Sequence, residues 1–453
     1  MNAERPQAGL LQAAPLAGRR IVVAPNEIAG VSSRLARAMA ATGAEVRCFF
    51  GRDHPFHTPL PDGPGLRRWF RRAIGWASRA RDAGGPGAAA GSLVAGVCKL
   101  LGCLRAWAWA DTLVMVGGRG FFGGGAEYAL ARALGRRVVH VFVGTASRPR
   151  IMAGDARSIL REDGVDEGRL RRLIERTRRQ RRRVAAISRQ AWLVVENPLC
   201  GHFHSRPFLN WFKLGLPLDV AALEAEPRIT DRTPPRQPGR VRVLHGPSRP
   251  AIKGTETIRA VVRRLEAEGL PIEYREVTGV PHGQMLHEIA ECDLVIDQLW
   301  SDTPMAGFAA EASALGKPVI VGGLGWDELR RWLRPEEFPP TIAIHPDRLE
   351  AVVRELVPDA ERRREAGRRA REFLLQRWSP GAFAERWARV LRGEAPEDWW
   401  VRPEEIGHVH GMGLSAEEVR RIAQAAAPAL DLEALGWREP PRWWARWREL
   451  ARA

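Results

Sequence analysis

"LHGPSRPAIKGTETI" (residues 244–258) is the stretch on which the reading of this chain turns. An apolar strand ends at Leu244. His245, Gly246 and Pro247 follow, then Arg249, Lys253 and Gly254, and a helical pattern starts near Thr255. A strand-to-helix mouth is a natural anion site, because backbone N–H groups and the positive end of the helix dipole point out of it. Two cations placed in that mouth strengthen the expectation.

Around this stretch, short apolar runs alternate with helical periodicities. Downstream the order is strand 241–246, helix 255–268, strand 272–279, helix 283–292, strand 293–300, helix 308–316, and strands 318–323 and 341–346. An earlier series has strands at 20–25, 45–50, 111–118, 136–144, 184–188 and 192–197, with helices at 32–43 and 124–135. Strands separated by helices of this length predict βαβ units and parallel sheets. The Pro- and Arg-rich segment 224–240 lacks periodicity and reads as a linker.

The predicted fold class is therefore α/β, with two doubly wound, Rossmann-like parallel-sheet domains facing one cleft. The N-terminal tail is 1–19, the first domain 20–223 and the second 241–392. Residues 393–453 form a Trp-rich, helical extension in which Ser415 and Glu418 fit a capping box. Ligands of such sheets sit beyond the carboxyl ends of the strands, where 244–258 lies.

Composition narrows the class further. The chain has 453 residues, 45% apolar and 27% charged, which is globular. Its five cysteines show no C-x-x-C spacing, which points to a reduced cytosolic compartment and away from a disulfide framework or zinc cluster. The N-terminus lacks a signal-peptide run. The apolar stretch 92–110 is interrupted by Lys99 and Arg105 and reads as a buried or interfacial helix, not a membrane span. Net charge is +17, carried almost wholly by arginine. That reflects either a coding bias or attraction to anionic partners. The cations are spread along the chain without aromatic-interleaved RNA motifs, so no specific nucleic-acid partner is expected. The densest run, 169–184, reads as a solvated helix.

The combination of the 244–258 loop with "ECDLVIDQ" (291–298) and "DTPMAGFAAEASALGKPVIVGG" (302–323) resembles the donor domain of bacterial GT-B-fold glycosyltransferases of the retaining family 4 kind. The resemblance implies transfer of a sugar from a nucleotide diphosphate sugar to a glycan or lipid-linked acceptor. It further implies retention of configuration, no metal and no cofactor beyond the donor substrate. Arg249 and Lys253 fall at the family's positions for stabilising the leaving diphosphate. The chain contains no Asp-x-Asp motif that would hold a metal there. Glu311 matches the family's ribose-binding carboxylate. The backbone of Met305, Ala306 and Gly307 would face sugar and phosphates. His282, in "TGVPHGQM" (278–285), falls near the base, as either a turn residue or a base contact.

The chain also departs from the family pattern. Thr303 stands where a first Glu is usual, with Asp302 one residue off register, and Pro304 replaces a Gly. In the first domain "VGTAS" (143–147) keeps Gly144 and Thr145, while Val143 and Ala146 replace a His and an Asp. These departures motivate an alternative, a non-catalytic GT-B protein that binds a nucleotide sugar or a partner glycosyltransferase.

Other features carry lesser expectations. Gly30, in the first loop (26–34), either lets the backbone approach a phosphate or marks a turn. His140 and His245 read as packed rather than catalytic. The Gly-rich run 117–125 does not fit a P-loop and reads as a flexible acceptor-side loop. "LRRWFRRAIGWASRARD" (66–82) interleaves cations with Trp69, Phe70 and Trp76. It is either a helix packed on the domain or an amphipathic anchor on the inner face of a membrane. Trp437, Trp443, Trp444 and Trp447 read as packing.

Overall fold

The computed structural model describes residues 15–28, 30–50, 66–83, 86–122, 125–230, 233–430, 437 and 440–453. Most of the tail 1–19, parts of the 117–125 run and of the linker, and the side chains of Trp69 and Phe70 lie outside the described residues.

The first domain runs β1 (Arg20–Pro25), α1 (Val31–Ala41), β2 (Glu45–Cys48), α2 (Leu66–Asp82), α3 (Pro86–Trp109), β3 (Thr112–Val116), α4 (Ala126–Ala133), β4 (Arg137–Val141), α5 (Glu167–Gln190), β5 (Leu193–Glu196) and β6 (Phe208–Asn210). The second runs β7 (Val241–His245), α6 (Pro250–Lys253), α7 (Thr255–Ala267), β8 (Ile272–Glu276), α8 (His282–Glu291), β9 (Leu294–Gln298), α9 (Gly307–Ala314), β10 (Val319–Gly322) and β11 (Ile342–Ile344). Beyond it come α10 (Pro380–Arg392), β12 (Trp400–Val401), α11 (Ala416–Ala426) and α12 (Arg442–Arg452).

The first sheet has the order β12–β6–β5–β4–β3–β1–β2, and the second β8–β7–β9–β10–β11. All neighbours pair in parallel except β12, which lies antiparallel to β6 with Val401 opposite Phe208. The inner strands are apolar on both faces because helices cover both. Thr112 to Val116 are all buried, as are Leu294 to Gln298. This is the predicted GT-B class, two Rossmann-like sheets.

Their carboxyl edges face each other. Arg34, in the first turn of α1, pairs with Glu311 on α9. Arg148, after β4, meets Asp302, after β9, at 2.7 Å. Asn197, after β5, donates to the Asp302 carbonyl at 2.8 Å.

Two expectations are revised and one is narrowed. Residues 184–188 are not a strand; they are the last turns of α5, which starts at an Asp166 N-cap and runs unbroken. No Gly or Pro interrupts the basic run ahead of them, and Val184, Ile187 and Ser188 are buried at helical spacing. The helix covering 92–110, expected to be buried or interfacial, is buried on one face only. α3 turns Cys98, Cys103, Ala106 and Trp107 into the domain, while Leu93, Val97, Leu100, Leu101 and Leu104 stay exposed along one stripe. By length and composition alone Gly87–Trp109 is apolar enough to cross a membrane, yet its inner face packs on the first sheet's core. The extension 393–453 is not wholly helical, since it sends β12 back to the first sheet. Its Ser415–Glu418 capping box is formed, with Ser415 N donating to Glu418 at 2.8 Å. Trp443 and Trp447 are fully buried against Met152, Leu170 and Ile422, which is the packing role.

Several imidazoles are sealed in this interior. His140 is fully buried, with Nε2 donating to the Gly117 carbonyl at 2.6 Å and Nδ1 accepting from Tyr128 at 2.8 Å. Burial holds it down to about 4, holds His202 down to about 3, and pushes His204 well below the ordinary range. A base with a lowered folded pKa contributes its full stability above the unfolded value and loses it as pH falls towards the folded value. Glu196, which burial pushes up to about 8, works in the opposite sense between its ordinary 4.5 and 8. The imidazoles outnumber it below pH 6.5. The melting temperature is therefore expected to fall steeply from pH 6.5 to 4, His140 alone contributing on the order of 3 kcal/mol. A melting temperature unchanged over that window would show that these imidazoles are not buried neutral.

Candidate functional site

The site is built from loops at the two facing carboxyl edges. On the second sheet, β7 ends in His245. Its Nδ1 donates to the Ile296 carbonyl at 2.8 Å, so its Nε2 accepts from the Thr255 hydroxyl at 2.9 Å. Burial lowers its pKa. A neutral imidazole with both nitrogens committed ties β7 to β9 and to the start of α7, which is the packing role expected of it. The turn after it is narrow. A Cβ on Gly246 would sit 2.8 Å from the Phe308 ring, so only glycine lets this α9 residue lie across the mouth. Gly254 is left-handed, with φ +76°, and links α6 to α7.

The two loop cations differ in setting. Arg249 is exposed and forms no ion pair among the described residues. Lys253 is mostly buried and pairs with the fully buried Asp297 of β9 at 2.7 Å. An ammonium has three donors, so this pair fixes Lys253 in place and leaves two N–H groups for a ligand.

Glu311 is buried on α9. It pairs with Arg34 from the first domain and lies 3.3 Å from His282 Nε2. His282 Nδ1 meets Glu226 at 2.7 Å. Burial opposes the charge on His282, but Glu311 and Glu226 outweigh it and raise its pKa. Gly30 caps α1 in the left-handed region, with φ +75°. Beside these groups opens a cavity of about 630 Å³, lined among others by Gly30, Arg34, Arg37, Asp219, Glu226 and His282. Its size is within the range of small-molecule sites. Gly30, His282 and Glu311, read from separate parts of the sequence, thus meet at one place.

The remaining expected residues divide. Ala306 and Gly307 open α9, whose first turn has no side-chain cap. Met305 is buried, with its side chain in the domain core. Thr303 is half-buried, and its N–H donates to Ser301 at 3.1 Å. Gly144 and Thr145 lie at the end of β4, Gly144 left-handed and exposed, and the Thr145 carbonyl accepts from Gln180. They belong to the facing edge and do not line the 630 Å³ cavity.

Asp302, one residue before Thr303, has its carboxylate committed to partners outside the 244–258 loop. It is buried between Arg148 and His408, with His408 Nε2 at 3.2 Å. Burial opposes its charge, but Arg148 and His408 outweigh it and hold its carboxyl below the usual range. The sequence reading missed Arg34, Arg148, Asp297, Glu226 and Phe308.

No family model matches the chain, and no curated protein matches it in sequence. Solved structures resemble it over most of its length. The glycosyltransferase SnogD from Streptomyces nogalater is 17% identical with a TM-score of 0.41, covering 84% of this chain and 100% of its own. HepE from Anabaena, in complex with UDP and glucose, is 12% identical with a TM-score of 0.43, covering 83% and 100%. An alpha-glucosyltransferase in complex with UDP-glucose and DNA is 12% identical with a TM-score of 0.46, covering 82% and 99%. Likeness this distant carries no argument about activity, which rests on the site itself.

Proposed function

We propose that this chain is a glycosyltransferase that moves a sugar from a nucleotide diphosphate sugar to a glycan or lipid-linked acceptor. One observation carries the reading. Where two Rossmann-like sheets face each other, a basic strand-to-helix loop and a glycine-capped helix flank the interface, beside a cavity lined by His282, whose Nε2 lies 3.3 Å from the buried Glu311. The diphosphate would lie against Arg249, Lys253 and the N–H groups of Ala306 and Gly307. Glu311 would take the ribose hydroxyls, displacing Arg34, and His282 would border the base.

In the step proposed, the bond from the anomeric carbon to the phosphate oxygen breaks and a bond to the acceptor oxygen forms on the same face. The acceptor proton passes to the departing phosphate. Charge growing on that phosphate is met by Arg249 and Lys253, so no metal is invoked. A second reading, a non-catalytic nucleotide-sugar binder, is favoured by the pairing of Glu311 with Arg34 and of Lys253 with Asp297. It is favoured too by Val143 and Ala146 at the family's His and Asp positions.

Thermal-shift binding against UDP-, GDP- and ADP-sugars, with and without EDTA, tests both readings. One donor is expected to raise the melting temperature regardless of EDTA and to lose its effect in Arg249→Ala. No shift with any donor would overturn the nucleotide-sugar reading. A bound donor that is neither hydrolysed nor transferred would favour the second.

We place the protein in the cytosol, at the inner face of a membrane. The exposed leucine stripe of α3 lies beside α2, whose sequence carries six arginines, with Arg72 and Arg79 exposed. An apolar stripe bordered by cations suits an anionic lipid surface. Phosphatidylglycerol vesicles at low salt are expected to sediment the protein, and Leu100→Glu with Leu104→Glu to release it. Failure of the wild type to co-sediment would remove the membrane from this reading.

A further inference from the structure

A second cavity, of about 550 Å³, opens in the first domain between the 150–159 loop and α5, lined by Arg150, Asp155, Ser158, Arg169, Arg172 and Arg176 among others. β5 follows α5 and pairs in parallel with β4, so α5 starts at the carboxyl edge of the sheet, on the cleft side. Arg169, Arg172 and Arg176 recur at three- and four-residue spacing and share one face of the helix. Arg183, two turns on, continues that stripe.

Two of the four lining arginines are paired with carboxylates and two are not. Arg150 meets Asp155 at 3.0 Å, the one carboxylate lining the cavity. Arg169 is turned to Asp166 and the Ser158 carbonyl. Arg172 and Arg176 are exposed and form no ion pair among the described residues. Elsewhere on the same helix Arg179 does have a carboxylate partner, Glu175, at 3.1 Å. Arg183 is held down to about 10, first by burial and then by the guanidinium groups of Arg119 and Arg150. Four arginines line the cavity, and the two that no carboxylate engages, Arg172 and Arg176, suit a ligand with several anionic oxygens, which guanidinium forks grip in pairs.

The cavity adjoins the donor loop. A Cβ on Gly154, which lines it, would sit 2.2 Å from Ile252 of α6. Arg157 donates to the Ala251 carbonyl of the same short helix. A group held here lies in the first domain, one layer of side chains from Arg249 and Lys253.

We propose that this arginine cavity binds the phosphate or diphosphate group of the acceptor. The purpose assigned to it rests on the glycosyl-transfer reading; the anion site itself does not. Inorganic pyrophosphate is the probe, titrated calorimetrically into the Arg249→Ala/Lys253→Met/Asp297→Asn protein, so that the donor loop is silent and no buried carboxylate is stranded. Binding is expected there and is expected to weaken at least tenfold when Arg172→Glu and Arg176→Glu are added. Both side chains are exposed, and an unchanged melting temperature would show that the variant folds. Neutral phosphatidylcholine vesicles with and without a polyprenyl diphosphate, and glucose 1-phosphate in solution, then separate the sources. Retention only on diphosphate-bearing vesicles assigns a lipid-linked acceptor, and binding of the soluble sugar phosphate assigns a soluble one. Either result, if lost in the Arg172→Glu/Arg176→Glu variant, supports the site. No pyrophosphate binding, or equal binding by that variant, overturns it, whatever the donor panel returns.

Discussion

Replacing Arg148 with alanine is expected to destabilise the fold by about 3–5 kcal/mol, the usual result of stripping one partner from a buried ion pair. Arg148 is fully buried and holds Asp302 across the domain boundary, while its second Nη donates to the Leu199 carbonyl at 2.5 Å. The substitution leaves Asp302 facing His408, whose pKa burial lowers, so a carboxylate is stranded in a dry interface. Urea unfolding would show a lower midpoint. The pair itself contributes less than the loss of one member suggests, because both charges were desolvated to form it. Arg148→Met with Asp302→Leu is therefore expected to recover most of the stability. A single variant within about 1 kcal/mol of wild type would mean that water reaches the pair, as at exposed bridges.

The other large effect is on the proposed transfer reaction. Arg249→Ala is expected to raise the barrier by about 2–4 kcal/mol, by analogy with the loss of one oxyanion donor. It is the cleaner of the two loop substitutions, since Arg249 is exposed and its removal strands nothing. Lys253→Met removes the partner of a fully buried carboxylate, Asp297, so its effect mixes chemistry with stability. Lys253→Met with Asp297→Asn separates them: the melting temperature should return while turnover stays low. The assay is turnover with whichever donor shifts the melting temperature. An Arg249→Ala enzyme with wild-type turnover would remove that residue from the leaving-group role.

Much of the architecture was legible because its signals are local. Val- and Ile-rich strands between helical periodicities gave both sheets, and Ser415 with Glu418 gave the cap of α11. The strand assigned to 184–188 failed because five apolar and small residues fit either period, and only the unbroken basic run before them favoured helix. The exposed stripe of α3 was hidden because an apolar helix reads the same whichever side finds a partner. At the site, Glu311, His282 and Gly30 could be singled out one at a time, but not as neighbours. Asp297 had a signal, a carboxylate inside an apolar strand, which is rare without a partner. Arg34 and Arg148 had none, since each owes its role to a residue over 150 positions away.

The short strand β12 has a consequence for how this protein is made. Val401 closes the sheet that Arg20 opens, and α10 before it packs on α1. The first domain thus keeps β6 as a bare edge until Trp400 and Val401 have been synthesised. Unpaired edges template wrong pairings. A chain cut after residue 392 would retain every residue assigned to the donor loop and still be left with that edge uncovered, so truncation is a route to aggregation rather than to a minimal enzyme.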